Sequence, residues 1–160
     1  YLYELEASTA GGTGLSDKYA IHTPVTCPTG IPAPYNVIVS GPYSISLTWS
    51  PPAQLNSRQP VFYNVLLNSG TQNAISRHAG QDLHLFVTDL EPFTTYYIRV
   101  QACQNDGCGV GEGVYICTFE KAPEGLQPPT VKALGPSVLE IDWTPPKKPN
   151  GLITSYHIYR

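Results

Sequence analysis

Four cysteines and four histidines are the side chains here best suited to chemistry. Cys103 and Cys108 lie five positions apart in "ACQNDGCG" (102–109). Three chemistries use cysteines that close together: a metal clip, a dithiol redox pair, and a disulfide across a turn. Zinc would need two more ligands nearby. Cys117 is near in sequence, but the nearest histidine, His84, falls in a different segment. A redox C-x-x-C is absent, because four residues rather than two separate the pair. His22, His78, His84 and His157 are not bracketed by ligands at metal spacing, so solvated surface histidine is the plain reading of all four. The carboxylates Asp89, Glu91, Asp106, Glu112 and Glu120 are scattered, without a paired acid–base arrangement. "GCGVGEG" (107–113) has the glycines of a phosphate loop but lacks the Gly-Lys-Ser/Thr ending and the strand-to-helix context. Its glycines are assigned to positive φ and a tight turn. The choice among the cysteine chemistries passes to the elements that carry them.

Those elements are short. Sixteen prolines and fourteen glycines cut the 160 residues into brief segments. Charged residues make up 13%, well under the roughly 25% of an ordinary domain, and the net charge is −3. That balance gives no electrostatic footprint for nucleic acid or an anionic membrane. No apolar run approaches the ~18 residues of a membrane span. No signal peptide opens the chain, which is expected of a processed protein or of an interior piece of a longer one.

The chain repeats itself. "TWSPP" (48–52) returns as "DWTPP" (142–146), and "SGP" (40–42) as "LGP" (134–136), both shifted by 94. "CPTGI" (27–31) returns as "APEGL" (122–126), and "LYELEA" (2–7) as "YIRVQA" (97–102), both shifted by 95. A period of that length is a whole domain rather than a solenoid unit. It places one full copy at 28–120, the end of a preceding copy at 1–27, and the start of a following copy at 121–160. The Pro-rich junctions "CPTGIPAP" and "APEGLQPP" are too short and stiff for free tumbling.

Within the full copy, apolar residues alternate. Val37 and Val39 mark a first strand. Ile45, Leu47 and Trp49 share one face of the next, and Tyr63, Val65 and Leu67 one face of a third. Leu85 with Val87, then Tyr96, Ile98, Val100 and Ala102, then Val114 with Ile116, follow the same rule. Turn residues separate these runs, and no window offers an amphipathic helix. Seven short strands in this length read as an all-β antiparallel sandwich.

The order and spacing of Trp49 and "LEPFTTYYIRVQA" (90–102) resemble the fibronectin type III domain, an immunoglobulin-like sandwich with strands A, B, C, C′, E, F and G. The resemblance covers all three copies. It implies that Tyr96 is the tyrosine-corner residue, its hydroxyl bonding back to the turn before strand F. It makes Trp49, Tyr96 and Trp143 structural core residues. Tyr1 aligns with Tyr96, so the first copy supplies strands F and G. The third supplies strands A to C, over Val131 and Leu134, then Leu139, Ile141 and Trp143, then Tyr156 and Ile158.

On this frame Cys103 points outward at the end of strand F, and Cys108 faces it from strand G. Side chains opposed across a hairpin stand about 4.5–5.5 Å apart at Cβ, close to disulfide reach. A Cys103–Cys108 staple is expected of a secreted all-β protein. Cys27 and Cys117 sit toward opposite ends of the domain, which disfavours pairing them with each other. Pairing of Cys27 with Cys103 or Cys108 stays open as an alternative. In the preceding copy the same turn reads "ASTAGGTG", with Ser8 and Thr13 at the cysteine positions, so the turn does not need the staple.

The alternation also turns Phe62 and Leu66 outward on strand C, Tyr97 on F, and Tyr115 and Phe119 on G. Since C, F and G are neighbours in the family's sheet, these five residues are a candidate protein-binding face. No Arg-Gly-Asp occurs, and no Asn-x-Ser/Thr sequon. The resemblance implies a non-catalytic, extracellular adhesion or spacer segment of a secreted or single-pass membrane protein. Its partners would be matrix or cell-surface proteins, with no cofactor, metal, small-molecule substrate or membrane contact by this segment. The second reading is a receptor-ectodomain segment that binds ligand at an inter-domain elbow. "PPKKPNGLITSY" (145–156) and "ACQNDGCG" are further similar to the repeats of one large extracellular protein of the family, implying a basement-membrane and hair-cell or photoreceptor (hearing, vision) setting.

Overall fold

The computed structural model describes residues 1–21, 26–68 and 70–159, which contain thirteen strands and no helix. Before the full copy come four short strands, β1 (Leu2–Tyr3), β2 (Glu6–Thr9), β3 (Gly12–Leu15) and β4 (Tyr19–Ala20). β2 pairs with β3 and β1 with β4, giving one hairpin broken in the middle. At the break, the Ser16 hydroxyl accepts from the Leu5 amide and the Ser16 amide donates to the Leu5 carbonyl. A hairpin in this segment is the form that an F–G pair of a preceding copy would take. Ser8 faces Thr13 in it, as Cys103 faces Cys108 one repeat later.

The full copy holds seven strands in two antiparallel sheets. One has the order β5 (Tyr35–Gly41), β6 (Ser44–Thr48), β9 (His84–Val87). The other has the order β11 (Gly107–Cys117), β10 (Thr95–Gln104), β7 (Phe62–Leu67), β8 (Ile75–Gly80). These are strands A-B-E and G-F-C-C′ of the sandwich. Period-two alternation aims one side chain in two at the facing sheet. Ile45, Leu47, Val65, Leu67, Val87, Ile98 and Val100 are fully enclosed between the sheets. Each contributes about 1.5–3 kcal/mol relative to an exposed side chain. Trp49 follows β6 directly, is 1% exposed, and meets the Tyr63 ring edge-on with centroids 5.8 Å apart. Tyr96 is buried, and its hydroxyl accepts the Glu91 amide at 2.8 Å, locking the turn that leads into β10.

β10 and β11 slip register between Arg99 and Gln101, so that Gly111 and Glu112 together oppose Val100. The bulge reconciles two outward positions that strict alternation cannot hold at once: Cys108 and Tyr115 are an odd number of residues apart. It also revises the role of the glycines. Among those of β11, only Gly107 has positive φ, at 135°. A Cβ on Gly109 would lie 2.1 Å from the Pro28 carbonyl oxygen, and one on Gly111 2.5 Å from that of Ile31. Those two glycines allow the segment leading into β5 to lie flat against β11.

After the full copy come β12 (Thr130–Gly135) and β13 (Val138–Asp142), paired as a hairpin. The third strand expected there, over Tyr156 and Ile158, does not form. In the full copy its counterpart β7 draws its ladder from β10 and β8, and the third copy holds neither partner in this chain. The core role expected of Trp143 fails for the same reason. Trp143 is 45% exposed and rests on the Tyr156 ring, centroids 5.7 Å apart, without an opposing sheet.

Candidate functional site

Two features are built from residues the sequence singled out: the outer face of the β11-β10-β7-β8 sheet and the junctions between copies. The sheet face is laid out in rows by strand register. Cys108, Cys103 and Phe62 form the row nearest the β10–β11 turn. Cys103 and Cys108 are joined as a disulfide, their Cα atoms 4.0 Å apart. Cys27 and Cys117 are free; Cys27 is half-buried and Cys117 exposed. Cys27 packs against Gly107 from the sheet's inner side: a Cβ added there would come within 2.5 Å of the Cys27 sulfur. The hairpin backbone therefore separates this thiol from the outward-facing disulfide.

The next row is polar in three of its four residues. Val110, Gln101, Asn64 and His78 lie side by side, with Asn64 Nδ2 donating to Gln101 Oε1 at 3.0 Å and Asn64 Oδ1 2.9 Å from His78 Nδ1. Beyond it come Gly113, Arg99 and Leu66, then Tyr115 and Tyr97. The Tyr97 and Tyr115 rings lie 4.7 Å apart, and Tyr115 is 74% exposed. Gly113 permits this packing, because a Cβ there would lie 2.6 Å from Tyr97 Cζ and 2.7 Å from Arg99 Cγ. Arg99 Nε donates to the Gly111 carbonyl at 2.9 Å, which fixes the guanidinium stem beside the ring pair.

The five residues expected to share one face thus divide. The Tyr97 and Tyr115 rings pack at a tilt of 36°, and Leu66 stands diagonally beside Tyr97 across Arg99. Phe62 is separated from them by the polar row and lies next to the disulfide. Phe119 lies past the end of β11, where its carbonyl accepts the Phe93 amide at 3.0 Å. Arg99 belongs to this face as well: alternation turns it outward on strand F with Tyr97, and its place opposite Gly113 is the signal that adds it to the five. On the opposite sheet, Ile38 and Phe86 are exposed on either side of Ser46, a smaller outer patch that the sequence reading passed over.

The junctions are built twice on one plan. In the first, Thr29 bridges to Gln54, Gly30 has φ 65° with its carbonyl accepting the Ala53 amide, and Asn56, at φ 61°, donates Nδ2 to the Cys27 carbonyl at 2.9 Å. In the second, Glu124 bridges to Lys148, Gly125 has φ 75°, and Asn150, at φ 53°, donates Nδ2 to the Ala122 carbonyl at 3.1 Å. Glycine suits the left-handed turn in each, and asparagine tolerates it while its amide bonds locally. The second junction has further ties. The Lys121 amide donates to the Asn150 carbonyl at 2.9 Å, and Glu120 Oε1 accepts the Leu152 amide at 3.2 Å. Lys121 Nζ lies 5.1 Å from the centre of the Tyr43 ring and pairs with Glu124. Hydrogen bonding to Lys121 holds the Glu124 carboxyl below the usual range. A cleft separates Glu91–Thr94 of the full copy from Lys147–Gly151 of the next.

His78, His84 and His157 are exposed, and His22 lies outside the described residues. Among the described residues no group of three or more His, Cys, Asp and Glu is placed to hold a metal ion.

Residues 32–116 match the family model described as the fibronectin type III domain. Over 160 residues the chain is 48% identical to usherin of Homo sapiens, an alignment covering 100% of this chain and 3% of that protein. "ACQNDGCG" and "PPKKPNGLITSY" lie within that similarity. The chain is 29% identical over 161 residues to phosphatidylinositol phosphatase PTPRQ of Rattus norvegicus, covering 99% of this chain and 7% of that protein. It is 30% identical over 162 residues to the cell adhesion molecule DSCAM of Homo sapiens, covering 97% of this chain and 8% of that protein. The chain therefore spans only a few per cent of the length of the relatives it matches.

Proposed function

Because the chain belongs to the fibronectin type III family, we propose that it is a non-catalytic extracellular adhesion and spacer segment of a much larger protein. Residues 1–27 close one domain, 28–120 form a complete one, and 121–160 open a third. The duplicated junction carries this reading. Gly30, Ala53 and Asn56 recur as Gly125, Lys147 and Asn150, so that each domain is entered through the same Gly- and Asn-braced turn. A copied entry turn gives each domain the same start, which a regularly spaced rod would use. The outer β10–β11 face then meets matrix or cell-surface proteins through Tyr97, Tyr115, Arg99 and Leu66. Tyrosine and arginine are the residue types most enriched at the energetic centre of protein interfaces.

Small-angle scattering on a chain carrying both junctions, together with binding to matrix and cell-surface extracts, tests this proposal. An extended, narrow distribution of shapes is expected, with partner capture lost in Tyr97→Ser plus Tyr115→Ser. A broad, collapsing distribution would remove the spacer reading. Capture unaffected by the double substitution would remove the face.

The second reading, ligand binding at an inter-domain elbow, is favoured by one observation: the cleft between Glu91–Thr94 and Lys147–Gly151, with Phe93 half-exposed at its edge. Capture lost in Phe93→Ser but kept in the double tyrosine variant would select it.

A further inference from the structure

Asn150-Gly151 is the one Asn-Gly pair in the sequence, and it stands at the second junction. We propose that Asn150 is a site of spontaneous deamidation, and that its conversion loosens this junction as the protein ages. The chemistry is an intramolecular acyl substitution. The Gly151 amide nitrogen gives up its proton and bonds to Asn150 Cγ. The Cγ–Nδ2 bond breaks, and ammonia leaves with the proton. Water then opens the resulting succinimide at either carbonyl, giving aspartate or isoaspartate. Water is the sole co-reactant, and no electrons are exchanged. Such a reaction is fast only where nucleophile and electrophile are held close with nothing between them.

Three observations bear on that requirement at Asn150. Gly151 has no side chain to shield its nitrogen, and its amide makes no hydrogen bond among the described residues. The Glu120 side chain lies near the point where a Gly151 Cβ would stand, its Cδ 3.0 Å from that point, and its Oε1 accepts the next amide, that of Leu152, at 3.2 Å, so a carboxylate is at hand in this turn to take up the proton. Asn150 already has the left-handed backbone of a tight turn, with its side-chain amide drawn to the Ala122 carbonyl at the junction.

The other candidate positions lack one of these features. Asn56 makes the same bond in the preceding junction, but Ser57 follows it and adds a side chain over the attacking nitrogen. Asp106-Gly107 could cyclise in the same way, but Gly107 is paired with Gln104 in the β10–β11 ladder.

The effect on the junction follows from the bond that is lost. Asn150 Nδ2 is the donor to the Ala122 carbonyl, and a carboxylate there has no proton to donate. It would add a negative charge close to Glu120. Isoaspartate also lengthens the backbone at the residue whose carbonyl accepts the Lys121 amide.

The test is to hold the folded chain at body temperature in mildly alkaline buffer, then map its peptides by mass spectrometry with isoaspartate detection. Asn150 should convert several-fold faster than Asn56, and Gly151→Ala should bring it down to the Asn56 rate. Chain isolated after conversion, and an Asn150→Asp variant, should exchange the amide hydrogens of Lys121 and Glu124 faster than fresh chain. Asn150 surviving as long as Asn56 in the folded chain would overturn the site. Unchanged protection at Lys121 and Glu124 after conversion would overturn its effect on the junction. Neither outcome bears on the face of Tyr97 and Tyr115 or on the shape that scattering reads in fresh chain, so failure here leaves the proposed function standing.

Discussion

Asn56 and Asn150 stand 94 residues apart and are superposable in role: each holds a left-handed backbone and donates its side-chain amide to the carbonyl at the entrance of its domain, Cys27 in one case and Ala122 in the other. Removing the donor at Asn56 should therefore loosen the entry to the complete domain. Asn56→Ala loses a hydrogen bond worth about 1 kcal/mol. It also places alanine at φ 61°, which costs about 1–2 kcal/mol more. Asn56→Gly loses only the bond. Urea unfolding should rank the proteins wild type, then Asn56→Gly, then Asn56→Ala. Two variants as stable as wild type would show that the brace does not hold the fold.

The glycines of β11 give a second prediction. Gly109 and Gly111 lie where a Cβ would meet the carbonyl oxygens of Pro28 and Ile31, while Gly14, on the equivalent strand of the preceding copy, has nothing within 4 Å. Gly111→Ala should therefore destabilise the complete domain by about 1–3 kcal/mol, as overpacking does, with displacement of the 27–31 segment. Gly14→Ala should be close to neutral. Thermal unfolding of the two variants side by side checks this, and equal effects would remove the close-approach explanation.

The disulfide gives a third. Cys103–Cys108 closes a small ring on a hairpin whose register is already set by β10 and β11. Its stabilisation comes chiefly from the unfolded chain and should be about 2 kcal/mol or less for so short a loop. The pair Cys103→Ser with Cys108→Thr copies the Ser8 and Thr13 of the preceding copy. That variant should keep the hairpin, seen as unchanged cross-strand contacts in NMR, with only a modest loss of stability. Thiol titration of the denatured, unreduced wild type should find Cys27 and Cys117 alone. Loss of the hairpin would mean that the disulfide fixes the register.

Much of this was legible in the sequence because it follows from period two. Tyr63, Val65 and Leu67, and Ile98, Val100 and Ala102, alternate without interruption and are buried as expected. The 94–95 residue shift pointed to the two segments that share one turn geometry, though not to their bonding, since a left-handed asparagine leaves no trace in composition. Alternation failed at the bulge opposite Val100, where two residues face one and the count loses its parity. The polar row of Gln101, Asn64 and His78 was missed for another reason. Reading one strand at a time gives the face of each residue but not its neighbour across the ladder, so Phe62 was grouped with aromatic residues from which a hydrogen-bonded row divides it. Tyr156 and Ile158 have the pattern of a strand, but a strand needs partners, and pattern alone does not supply them.

The ion pair at the second junction makes a prediction about pH. Lys121 is raised above its ordinary range, first by hydrogen bonding to Glu124, and Glu124 is lowered, first by hydrogen bonding to Lys121. A lowered carboxyl adds stability above its unfolded value, about 4.3 for glutamate, and that contribution is lost as pH falls through the lower folded value. Lys121 adds nothing to the acid change, because it keeps its proton throughout. The tie should thus hold from neutral pH down through the usual glutamate range and be released only below it. Both side chains face solvent, so the effect is small and screened by salt. NMR titration should find Glu124 ionising below the usual glutamate range. The Tyr43 ring should respond at the same midpoint, since Lys121 stands over it. In Glu124→Gln the Tyr43 response should disappear, and in concentrated salt it should weaken. A Tyr43 signal that follows acid unchanged in Glu124→Gln would show that the pair does not hold Lys121 on the ring.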